Sequence, residues 1–199
     1  MKSNICKIEN GSRSLDAILR ESEKVAVYNE LNHKQTMQLR LLCEEMDGML
    51  PNIVNFYSGD FWIEFDKGVC KINISVELKD LTKGEKDELI GIAKDKKNAS
   101  ASGITGKIRS AIESLFIADM TLPLNTMPHG MFSFSTDHLT PIDYTYFWSM
   151  NQYRNNVIKE QMSEEWDELE KSVIASIADD VIVGIKGKQA DIVIIKEFA

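Results

Sequence analysis

A chain of 199 residues with 43% hydrophobic residues buries one sizeable core, which excludes a string of independent domains and suits one domain, 1–199, carrying an insertion. A formal net charge of −8 argues against nucleic acid and anionic membrane as partners, because their phosphate field repels such a surface. Cys6, Cys43 and Cys70 lack C-x-x-C spacing, so neither a disulfide framework nor a zinc knuckle is suggested; with no apolar run near about eighteen residues and no signal core, the expectation is a reduced, cytoplasmic protein.

From Ser14 to about Glu30, Leu15, Ile18 and Leu19 give a helical stripe, with Ser14 and Asp16 as capping residues. Over 36–50, Leu39, Leu42, Met46 and Met49 fall on one helix face, and Pro51 ends the run. FWIEF (61–65) and VCKINISVEL (69–78) flank D-K-G as a hairpin. In its second strand Ile72, Ile74, Val76 and Leu78 alternate with Lys71, Asn73, Ser75 and Glu77, which predicts one wet face.

Residues 84–98 are heavily charged and precede the small-residue run ASASG, a pattern for a helix ending in a mobile loop. A helix is predicted over 107–117 with Ile108, Ile112 and Leu115 inward. Residues 118–162 hold three of the four prolines, His129, His138 and the tract DYTYFWSMNQY, and read as an inserted arm. From Ser163, Trp166, Leu169, Val173 and Ile177 follow helical spacing, and VIVGIK (181–186) faces ADIVIIK (190–196) across G-K-Q as a second hairpin. Two hairpins that must bury their apolar faces together, interleaved with helices, describe an α+β two-layer sandwich: an antiparallel or mixed sheet covered on one face by helices.

The stretch SGITGKIRSAI (102–112) asks whether a phosphate binds there. A P-loop fails, since Ala101 stands at its first glycine and Ile108 at its Ser or Thr. What remains is G-x-x-G-K at a helix start, where unpaired N–H groups and the helix dipole favour an anion. Other chemistry is weakly marked. Glu44 and Glu45 point about 100° apart on a helix, the three histidines lack H-x-x-x-H spacing, and no G-x-S-x-G occurs, so no metal site or nucleophile elbow is assigned.

The element order, together with NHKQTMQLRLLCEEMDGM and GITGKIRSAI, resembles the ATP-binding fold of the GHKL superfamily, and within it the anti-sigma-factor serine kinases, over 14–117 and 163–197. The resemblance implies ATP with Mg²⁺ as ligand, Glu45 as catalytic base, and a phosphate-binding turn of Gly103, Gly106, Lys107 and Ile108 behind a lid at 94–102. Met49 stands where that family carries its Mg²⁺-binding asparagine, and VELKDLTKG replaces its D-x-G-x-G. Three readings stay open: an ATP-binding regulator of that kind, with protein serine kinase or ATPase activity; a non-enzymatic module that keeps the fold to dock a protein partner or form a homodimer; and a small-molecule-binding α+β domain.

Overall fold

The computed structural model describes residues 1–9, 14–53, 57–78, 103–121, 147–159, 172–186 and 188–198. Among them the chain runs β1 (Cys6–Glu9), α1 (Leu15–Tyr28), α2 (His33–Ile53), β2 (Tyr57–Asp66), β3 (Val69–Leu78), α3 (Gly103–Thr121), β4 (Phe147–Ser149), α4 (Met150–Lys159), α5 (Val173–Ile177), β5 (Asp180–Lys186) and β6 (Gln189–Glu197). The strands form one antiparallel sheet in the order β1-β2-β3-β6-β5-β4. Both expected hairpins are present, and they join where Ile72 pairs with Ile194 at the sheet centre.

The β2–β3 turn follows from local chemistry. Lys67 (φ 48°) and Gly68 (φ 83°) sit between the paired Asp66 and Val69, a two-residue loop whose positive φ values match the right-handed twist of the strands. The Gly68 carbonyl also accepts the Phe198 N–H at 2.8 Å, which ties the end of β6 to this turn.

Alternation decides what each strand sends into the core. Phe61, Ile63 and Phe65 of β2, Ile72, Ile74 and Val76 of β3, Val181 and Val183 of β5 and Ile192 and Ile194 of β6 share one buried cluster with the helices. Against them pack Ile18 and Val25 of α1, Leu39, Leu42, Met46 and Leu50 of α2, Ile108 and Leu115 of α3, and Ile174 of α5. The architecture is therefore α+β, a sheet with helices laid on it.

Several boundaries differ from the sequence reading, for tertiary reasons. α2 runs on to Ile53 through Pro51, because a proline in the last turn removes only one hydrogen bond and Leu50 and Ile53 are both buried. α3 begins at Gly103 rather than at 107, since Ile104 is a core residue and the glycines before Lys107 are drawn into the helix with it. Residues 147–159, read from the sequence as arm, supply an edge strand paired with β5 and a helix whose Met150 is buried in the main core. That junction is held by Asp180, whose carboxylate accepts the Ser149 hydroxyl at 2.9 Å and the Asn151 N–H at 2.9 Å. The C-terminal part of the helix expected over 163–178 appears as α5; residues 160–171, the charged stretch 84–98, the lid 94–102 and residues 122–146 lie outside the described residues.

The face of β3 expected to be wet is partly covered: Asn73 and Ser75 are 7% and 8% exposed. Farther along the same face Phe147, Ile182, Val193 and Ile195 form a second buried apolar cluster with Val69 packed against it. β5 and β6 are thus buried on both faces, which explains their near-continuous apolar runs.

The N-terminal segment, to which the sequence reading assigns no element, forms the other edge. Lys2 bridges Glu64 while Cys6 pairs with Phe61, so one extra residue lies between them on the N-terminal side, a β-bulge opposite Trp62. The diverted Asn4 donates its N–H and its side-chain amide to Glu21 of α1 at 3.1 and 3.2 Å. Burial by itself raises the Glu21 carboxyl, but the Lys24 ammonium and the Asn4 donors outweigh it and hold the group below its ordinary range. Among the described residues no helix is long and apolar enough to cross a membrane.

Candidate functional site

The four residues expected from the sequence to form a phosphate-binding turn, Gly103, Gly106, Lys107 and Ile108, fall at the start of α3. Gly103 has φ 72°, a conformation that glycine adopts without the clash a Cβ would bring. The first-turn N–H groups of a helix have no intrahelical partner, so this end carries partial positive charge. Ile104, Ile108, Ala111, Ile112 and Leu115 recur at helical spacing and face the core, which fixes the rotation of α3 and leaves Lys107 and Arg109 on its outer side.

That rotation separates the four residues. Ile108 is fully buried and serves the core, so its side chain lines no surface. Gly106 is buried inside the first turn. Gly103 and Lys107 remain half-exposed. The Lys107 ammonium lies 4.8 Å from the centroid of the Tyr153 ring of α4, a cation–π contact, and Tyr153 is itself tilted against Trp148 with centroids 6.2 Å apart. Arg109 turns aside to pair with Glu113 at 3.0 Å.

Glu45 stands on the exposed side of α2, which packs beside α3. Its neighbour Glu44 points elsewhere, paired with Arg40 at 2.9 Å, and Arg40 also reaches Glu23 at 3.2 Å. Met49 is 4% exposed and packs in the core. No group of three or more His, Cys, Asp or Glu that could hold a metal occurs among the described residues. Burial raises all three thiols: Cys43 lies well above its ordinary value, Cys70 is pushed up to about 12, and Cys6 rises through burial and the nearby Glu21. They are protonated packing groups rather than nucleophiles.

A groove of about 680 Å³ lies elsewhere, on the opposite face of the sheet toward β1. Strand register builds it in rows: Glu9, Ser58, Glu77, Gln189 and Lys186 succeed one another across β1, β2, β3, β6 and β5, and beside them run Lys7, Asp60 and Ser75, the last paired with Asp191 of β6 outside the lining. Lys7 pairs with Asp60 at 2.6 Å, and the Ser75 hydroxyl donates to Asp191 while accepting from the Gln189 amide. Burial raises the Asp191 carboxyl, with the Ser75 hydrogen bond acting against it. None of the α3 residues lines this groove. Its members come mostly from alternate positions on five strands, so no linear motif marks them; the trace in the sequence is the alternation that sets Ser75 and Glu77 on the polar face of β3.

Comparison with models of protein families, with curated proteins and with solved structures finds no match for this chain.

Proposed function

We propose that the chain is an ATP-binding regulatory protein of GHKL type that binds nucleotide without efficient turnover. The observation that carries the reading is the start of α3, where Gly103 at positive φ opens the helix and Lys107 stands on its outer side one turn later. The sheet with α1, α2 and α3 on one face, and the neighbouring α2 bearing Glu45, support the same reading. Met49 in the core supports weak or absent catalysis, because a packed thioether supplies no ligand for a hard cation. In this reading ATP phosphates accept the first-turn N–H groups of α3, and Lys107 leaves the Tyr153 ring to meet them.

Calorimetry with Mg²⁺ and ATP on the full chain tests this. Wild-type protein should bind, and Lys107→Ala should weaken binding by about 1.5–3 kcal/mol, the scale of a hydrogen bond to a charged group. No heat with wild type, or equal affinity for both proteins, refutes the proposal. A second reading, a non-enzymatic interaction module on the same fold, is favoured by the exposed apolar residues Val27 and Tyr28 at the end of α1.

A further inference from the structure

We infer that the β1 edge is a homodimer interface, in which β1 of one copy pairs antiparallel with β1 of a second copy about a two-fold axis at Ile8. The inference stands independently of nucleotide binding. Along β2, Phe65 donates to Met1 and Ile63 exchanges bonds with Ser3, so the odd residues of β2 turn their N–H and C=O toward the N-terminal segment. Alternation extends this to Phe61 and Gly59, whose partners Cys6 and Ile8 therefore face β2. Lys7 and Glu9 turn their backbone groups the other way, toward the sheet's outer edge.

Parity and charge together select one register. An axis at Ile8 sets Lys7 of each copy opposite Glu9 of the other, as two narrow pairs that each exchange two N–H···O=C bonds and oppose unlike charges. An axis at Lys7 would oppose two lysines, and one at Glu9 two glutamates. An axis at Cys6 would set Glu9 against Ser3, whose N–H is already given to Ile63 at 2.8 Å. Glu9 has a polar contact within its own chain and Lys7 has Asp60, so pairing adds to or exchanges these contacts rather than filling a void.

A second observation points to the same edge. Of the five large apolar side chains that stand exposed among the described residues, Met1 and Ile5 (41% and 55%) lie on the N-terminal segment, Val27 and Tyr28 (80% and 72%) end the helix beside it, and Met37 (43%) lies apart on α2. The Asn29 amide 3.5 Å from the Met1 sulfur brings these two groups together. Exposed apolar surface flanking a regular strand edge is what edge-to-edge association uses, whereas the bulge at Asn4 and Ile5 blunts only the portion before Cys6. The product is an isologous dimer with one sheet continuous through both copies.

Sedimentation velocity of the full chain across concentrations tests the inference. Wild type should reach twice the 22.6 kDa chain mass. Lys7→Glu and Glu9→Lys should each weaken self-association roughly tenfold or more, since either change places like charges opposite each other twice per dimer. An equimolar mixture of the two variants should recover the dimer, because each reversed charge then faces its complement. Wild type that stays monomeric, a dimer indifferent to both reversals, or two folded monomeric variants that fail to recombine overturns the proposal. If a reversal unfolds the chain, amide exchange of the wild type decides: protection of Lys7 and Glu9 that grows with concentration supports the interface, and protection independent of concentration refutes it.

Discussion

The two ends of the sheet solve different problems. At the β5–β6 end, Val181, Val183, Ile192 and Ile194 face the helices while Ile182, Val193 and Ile195 join a second buried cluster on the opposite face. At the β1–β2 end the far face joins no apolar cluster: it carries Trp62 beneath the Lys2 ammonium and, along an open groove, Lys7, Asp60, Ser58 and Glu9. A strand buried on both sides contributes to stability and little to encounter, whereas a polar face next to a sheet edge can exchange partners at small cost. The face suited to contact is therefore the one that joins neither apolar cluster.

That contrast sets the order of expected effects. Ile192→Ala, at a fully buried position on the helix side, should destabilise by about 3–4 kcal/mol in urea unfolding, through lost transfer energy and a residual cavity. Val193→Ala, one residue on and facing the other way, should cost about 1.5–2.5 kcal/mol; a cost below about 0.5 kcal/mol would show that the second face is not packed and dissolve the contrast.

Smaller effects come from titration. Burial raises the carboxyls of Asp180 and Asp191, partly offset at Asp180 by the Asn151 N–H and the Ser149 hydroxyl, and at Asp191 by Ser75. The folded chain then holds these protons more tightly than the unfolded chain. Their contribution to stability is present below the ordinary value of 3.8 and is lost as pH rises through the folded pKa. Glu21 and Glu64 are held low, at Glu64 by Lys2 and Trp62 against the opposing effect of burial, so their contribution is present above 4.5 and is lost as pH falls through the folded pKa. Asp191→Asn should remove one of the stabilising contributions at acid pH: between about pH 7 and pH 4 the stability difference between wild type and variant should move in favour of wild type, as read by thermal melts. An unchanged difference would mean that Asp191 titrates as a solvated group.

The smallest effect belongs to the polar end. Lys7→Ala breaks an ion pair whose lysine is 83% exposed, and unfolding free energy should change by no more than about 0.5 kcal/mol. A larger loss, measured where the chain is monomeric, would mean that the β1 edge is as structural as the centre of the sheet.

Much of this architecture was legible in periodicity. Leu39, Leu42 and Met46 announced α2, and the alternation of Ile72, Ile74 and Val76 announced β3, because a side chain's face follows from its spacing once the helix or strand is formed. D-K-G announced its turn, since only certain residues tolerate positive φ. The α+β class followed from these local patterns.

The candidate site was legible only as residue types near a helix start. Gly103, Gly106, Lys107 and Ile108 fall within six residues of sequence, yet the rotation of α3 against the core buries two of them and leaves the others near the surface, and that rotation depends on Ile104, Ala111 and Leu115 packing in the core. The same holds for β1, whose four residues are too short to show a period, and for β4, where FWS becomes a strand because β5 offers an edge to pair with. Local spacing determined which residues are helical or extended and which way they point. Only tertiary packing decided which faces meet, which glycine is buried, and which residues from five strands share a groove, because those outcomes depend on free energies of contact between segments far apart in the chain.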